Sequence, residues 1–166
     1  MKQSDFWKRR CLFLAVSAAA LAAVTLFTGA VKPVRPVRLA PEIEEIISEE
    51  GEAAFYSFFN GLQVWYASHP QAASGVTLTM DRDYNELADV LRDGAIYLDA
   101  AGAALETASP ELQEWANSYH RDLVLYLFTL PAGPMMGLSQ NGTVELDRAT
   151  WAALGETIDA LVDCYQ

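Results

Sequence analysis

Residues 11–31 read CLFLAVSAAALAAVTLFTGAV, twenty-one residues without a charge. At 1.5 Å rise per residue, about twenty apolar residues cross the roughly 30 Å hydrocarbon core of a bilayer. The stretch therefore predicts a membrane-spanning helix that divides the chain into a short tail and a domain. Lys8, Arg9 and Arg10 stand directly before it, and Lys32, Arg35 and Arg38 follow. Two readings of its fate stay open. It is an uncleaved signal anchor, or it is a signal peptide cut after Ala30, with Thr28 and Ala30 small enough for the cleavage site. The run is longer than the roughly 7–15 apolar residues of a signal-peptide core, which favours the anchor. Seven alanines weaken insertion relative to Leu or Phe. A soluble fold that buries 11–31 is the third reading. Flanking charge prefers the basic tail, 1–10, on the cytoplasmic side only slightly. Anchor and signal peptide alike then place residues 40–166 outside the cytoplasm.

Charge is divided unevenly across that boundary. Residues 1–39 carry seven Lys/Arg against one acid, a net of +6. Residues 40–166 carry four Arg against twenty-one Asp/Glu, a net of −17, and the whole chain sums to −11. So acidic a domain is repelled by phosphate backbones and anionic headgroups, which argues against nucleic-acid binding. Basic partners, cations or plain solubility remain compatible with it. The two cysteines, Cys11 and Cys164, fall on opposite sides of the proposed membrane, so no intrachain disulfide is expected.

Beyond the apolar stretch, Pro33, Pro36 and Pro41 mark residues 32–41 as an extended, basic linker. Residues 42–166 then form the acidic domain. Pro41, the run of glutamates from Glu42 and the apolar positions Ile43, Ile47, Ala54, Phe58, Leu62 and Trp65 predict one helix over 42–67. Gly75 to Met80 alternates like a strand. Asp83 and Glu86 have capping-box spacing and open a predicted helix over 83–107, in which Gly94, Ala101 and Gly102 would let a neighbour approach closely. Ser109-Pro110-Glu111 starts a helix over 110–130, with Leu112, Trp115, Ala116, Tyr119, Leu123, Tyr126 and Leu127 on its inner stripe. Asn141-Gly142 signals a hairpin turn within 136–146. Asp147 caps a last helix over 148–165, with Leu146 and Trp151 spaced as a hydrophobic staple. The expected fold is all-α: a membrane-spanning helix, then an antiparallel four-helix bundle, with a minor β-ribbon from 76–80 and 136–146.

The sequence carries few residues in catalytic or ligating patterns. The two histidines, His69 before Pro70 and His120 at a stripe edge, read as packing residues. Asp81-Arg82-Asp83-Tyr84-Asn85 starts like a calcium loop, but Glu86 stands at the sixth position and Arg92 at the twelfth. No zinc, P-loop or nucleophile-elbow pattern occurs, so no catalytic residue, metal ligand or cofactor is assigned. Two features suggest contacts instead. Leu125 and Phe128 point away from the inner stripe of their helix, as a partner-facing pair would. Cys164 lies on a helix flank near the last residues and is expected to form an intermolecular disulfide, most simply in a homodimer. The expected role is a membrane-tethered interaction or structural domain that contacts another envelope protein. The alternative is a sensor-like or carrier bundle whose aromatic interior holds a small apolar ligand.

Overall fold

The computed structural model describes residues 33–69, 75–129 and 142–166. The expected membrane segment, 11–31, lies outside these residues. Among the described residues no helix is long and apolar enough to cross a membrane. All described elements belong to the unit Val34–Gln166. It is mostly helical: α1 (Pro41–Glu44), α2 (Glu49–Ala67), β1 (Val76–Thr79), one π-helical turn (Met80–Tyr84), α3 (Asn85–Leu105), α4 (Pro110–Thr129), β2 (Thr143–Leu146) and α5 (Arg148–Asp163).

The helix expected over 42–67 is broken. α1 ends at Glu44, and Ser48 turns extended (φ −71°, ψ 155°) to cap α2, its hydroxyl accepting from the Gly51 amide at 3.2 Å. Serine satisfies an orphan N–H better at a helix start than it serves a helix interior, so it resets the chain among the glutamates. The break lets Ile43 bury completely while Ile46 stays exposed.

α2 and α3 pack closely and run in opposite directions. A Cβ on Gly51 would lie 2.5 Å from the Ala100 Cβ, one on Gly61 2.9 Å from Val90, and one on Gly94 2.9 Å from Phe58. Glycines thus set the approach at three levels. Gly102, expected at this seam, faces open space instead. α3 and α4 are antiparallel neighbours. Leu127 lies against Gly94, Tyr97 bonds His120, and the Gln113 amide closes the turn by donating to the Leu105 and Ala108 carbonyls. Ser109 caps α4 through the Leu112 amide at 3.3 Å. Its inner stripe is rotated from the expected one: Ala116, His120 and Leu123 are buried, whereas Trp115 is 38% exposed. The polar partner offered by Tyr97 lets His120 turn inward and Trp115 turn out.

Asp147 caps α5, accepting from the Thr150 amide at 2.7 Å, and both Leu146 and Trp151 are buried. α5 returns along α2, with Trp151 beside Tyr66 and Tyr165 beside Phe59 and Phe55. Between these helices the core is largely ring on ring, Phe55, Phe59, Tyr97 and Tyr165 meeting at centroid separations of 4.8–5.6 Å. Such rings bring large apolar areas and prefer these tilted geometries.

The ribbon pairs β1 with β2 antiparallel, Val76 opposite Leu146 and Leu78 opposite Val144, with all four side chains inward. The described part of the expected 136–146 hairpin is therefore committed to β1. Gly75 (φ +117°) lies where any Cβ would strike the Leu146 carbonyl, so only glycine fits.

Residues 34–40 do not hang free as a spacer. They form a strap across α2, α4 and α5. Val37 and Leu39 are buried, at 7% and 4% exposure. The Arg35 main chain exchanges two hydrogen bonds with the Gln63 side chain, at 2.8 and 3.1 Å. The Arg38 amide donates to the Tyr165 carbonyl at 2.7 Å, and the Ala40 amide to the Tyr119 hydroxyl at 3.1 Å. The Arg35 guanidinium pairs with Asp159 and Asp163. An extended segment has no internal partners for its polar groups, so these external bonds are what let it lie flat on the fold.

Candidate functional site

Four places hold the chemistry-bearing side chains. The first is a knot between the end of α2, the π turn and the start of α5. Asp83 is fully buried, and four donors converge on its carboxylate: the Thr79 amide (2.6 Å), the Thr79 hydroxyl (3.0 Å), Arg82 Nε (2.7 Å) and His69 Nε2 (3.2 Å). Burial alone would raise its pKa. The bonds from Arg82, Thr79 and His69 outweigh that and hold the carboxyl well below the usual range. Asp83 thus does not cap α3 in the expected box. It reaches back to Thr79, the residue that precedes the π turn. Its lone pairs are taken by donors, so it offers nothing to a cation. Among the described residues no three His, Cys, Asp or Glu side chains converge on a metal position.

His69 sits between the Trp65 and Trp151 rings, with centroids 5.1 and 5.8 Å away. Its Nδ1 faces the Trp65 carbonyl at 2.6 Å, and the Trp65 indole donates to the Asp83 carbonyl at 2.8 Å. The Ser68 hydroxyl also lies 3.2 Å from Nδ1 and donates to the Trp65 carbonyl at 2.8 Å. The His69–Asp83 pair ties the end of α2 to the π turn.

The second place is the core contact of Tyr97 with His120, whose Oη and Nε2 lie 2.7 Å apart. Burial pushes His120 down to about 4 and Tyr97 far up, so near neutral pH the tyrosine donates and the histidine accepts. Tyr119 and Tyr97 rings flank the imidazole edge-on. Among the described residues no carboxylate is hydrogen-bonded to this pair, which holds a fixed dipole.

The third is the face nominated for contact. Leu125 is 56% exposed and Val124 beside it is 38% exposed. The Phe128 side chain lies outside the described residues. Cys164 is exposed on its flank, its thiol 3.3 Å from the Ala160 carbonyl and 3.8 Å from Asp122. Partial burial, Asp122 and Asp163 all raise its pKa, so it stays a thiol rather than a nucleophilic thiolate.

The fourth place was not singled out from the sequence. Where the strap crosses the helices it leaves a groove of about 530 Å³, walled by Arg38, Glu44, Tyr56, Tyr119 and the turn Cys164–Gln166. Tyr119 is fixed there by the Ala40 amide and by Trp115, which stacks on it at 4.9 Å. Burial, opposed by that amide, pushes the Tyr119 hydroxyl up to about 12. The groove gathers residues 38 to 166, and no local pattern announces it.

Comparison with protein-family models, with curated proteins and with solved structures finds no match to this chain.

Proposed function

We propose that the chain is a membrane-tethered interaction domain: a spanning helix over 11–31, then an acidic antiparallel four-helix bundle outside the cytoplasm that contacts another envelope protein. The observation that carries the contact is the α4 face, where Leu125 stands 56% exposed beside Val124 on a helix otherwise anchored by Ala116, His120 and Leu123. Exposed aliphatic side chains grouped on a rigid element mark contact surfaces more often than scattered ones do. The docked strap supports the tether, because only Lys32 and Pro33 separate the apolar stretch from its first residue in the sequence. The rival reading, a carrier with an apolar ligand inside, has less support because the interior rings pack on one another.

Photocrosslinking from position 125 in intact membranes is the test. One dominant adduct to a second protein, lost in Leu125→Ser while the melting temperature holds, is the expected result. Collapse of the melting temperature in Leu125→Ser would make the residue core and remove the contact. The homodimer reading has its own arm: a dimer band on non-reducing gels that disappears in Cys164→Ser and survives Cys11→Ser.

A further inference from the structure

Two side chains of opposite charge wall the groove beside the strap. Arg38 and Glu44 both wall it, both are exposed, and neither forms an ion pair with any described residue. Arg35, Arg82, Arg92 and Arg121 each stand beside an aspartate, whereas Arg148, like Arg38, has no ion pair among the described residues. Arg38 is held in place all the same, because its main chain is bonded to the Tyr165 carbonyl and its neighbours Val37 and Leu39 are buried. The Glu44 main chain donates to the Ala40 carbonyl at 2.9 Å, and its neighbour Ile43 is completely buried.

Part of the wall is aromatic. Tyr56 and Tyr119 contribute rings, and Trp115 extends the Tyr119 surface outward while remaining 38% exposed. A volume of about 530 Å³ is in the ordinary range for a small-molecule site. The charge pattern narrows the ligand. A simple anion gains Arg38 but meets Glu44 and the field of a domain carrying −17. A simple cation gains Glu44 but meets Arg38. A molecule carrying both charges satisfies both groups at once, with its body on the tyrosine rings.

We propose that this groove binds a zwitterion with free α-ammonium and α-carboxylate groups, an amino acid or short peptide. Arg38 receives the carboxylate in its planar fork, Glu44 accepts from the ammonium, and Tyr56 and Tyr119 hold the apolar side chain. The site is independent of the Leu125 contact and goes beyond it.

Calorimetric titration of the full chain in detergent micelles with the dipeptide phenylalanyl-leucine tests the proposal. The N-acetylated and C-amidated forms of the dipeptide are run beside it. Saturable binding is expected for the free dipeptide, weakened tenfold or more by either cap. Arg38→Gln weakens the free dipeptide and removes the effect of amidation. Glu44→Gln weakens it and removes the effect of acetylation. Both substituted side chains are exposed, and an unchanged melting temperature confirms that each variant is folded. The proposal is overturned if the free dipeptide gives no saturable binding at millimolar concentration. It is equally overturned if the capped forms bind as well as the free one, or if neither substitution weakens it.

Discussion

Lowering the pH from 7 to 5 should cost the domain about 2 kcal/mol through His120 alone. The imidazole is 7% exposed, its Nε2 takes the Tyr97 hydroxyl, and burial pushes it down from 6.5 to about 4. The folded state therefore prefers the neutral ring. Its contribution is complete above the unfolded value and is lost as pH falls from about 6.5 toward 4. In that window the unfolded chain binds the proton that the folded chain excludes. At about 1.4 kcal/mol per pH unit the whole interval is worth about 3 kcal/mol, of which about two thirds is lost by pH 5. Asp83 does not confuse the measurement. Its pKa is lowered, so its contribution is present above the ordinary carboxylate range and is lost only below about pH 4. Urea unfolding of the full chain in detergent, followed by tryptophan fluorescence at steps between pH 7 and 5, reads the effect. His120→Gln keeps a hydrogen-bond partner for Tyr97 but cannot titrate, so its slope should be shallower than the wild type by that amount. Equal slopes in the two proteins would refute the reasoning and place His120 in contact with water.

Leu39→Ala should destabilise the domain by about 2–4 kcal/mol in the same urea assay, because Leu39 is 4% exposed; a free spacer would give no change. Asp83→Asn should cost about 3 kcal/mol by leaving His69 and Arg82 without their carboxylate, read from the unfolding midpoint. Gly94→Val should destabilise by about 1–3 kcal/mol through overlap with Phe58 and Leu127. Gly102→Ala, facing open space on the same helix, should raise stability by up to about 1 kcal/mol, with midpoints of both glycine variants compared directly.

Local chemistry made much of this fold legible. Ser109-Pro110 and Asp147 announce α4 and α5 because capping depends on a few adjacent residues, and both caps form as their spacing implies. Val76–Thr79 alternates, and so does its burial. What stayed hidden depends on distant partners. Ser48 looked like one polar residue in an acidic helix, and only the burial of Ile43 shows why the chain breaks there. Three prolines made residues 32–41 look like a spacer, yet Val37 and Leu39 bury against helices that also supply Gln63, Tyr119 and the Tyr165 carbonyl as partners. His69 and Asp83 sit in separate local patterns, and their meeting is tertiary. Trp115 matched the inner stripe by spacing, but the polar partner at Tyr97 drew His120 inward in its place. The groove combines the strap, three helices and the last turn, which no window of sequence contains.

The tether is the premise on which the proposed role rests, and protease added to intact spheroplasts tests it most directly. The prediction is that residues 40–166 are digested from outside, while the undigested protein stays with the membrane through a high-salt wash. A soluble product beginning near Val31 would replace the anchor by a cleaved signal peptide, and full protection of the domain would contradict its placement outside the cytoplasm.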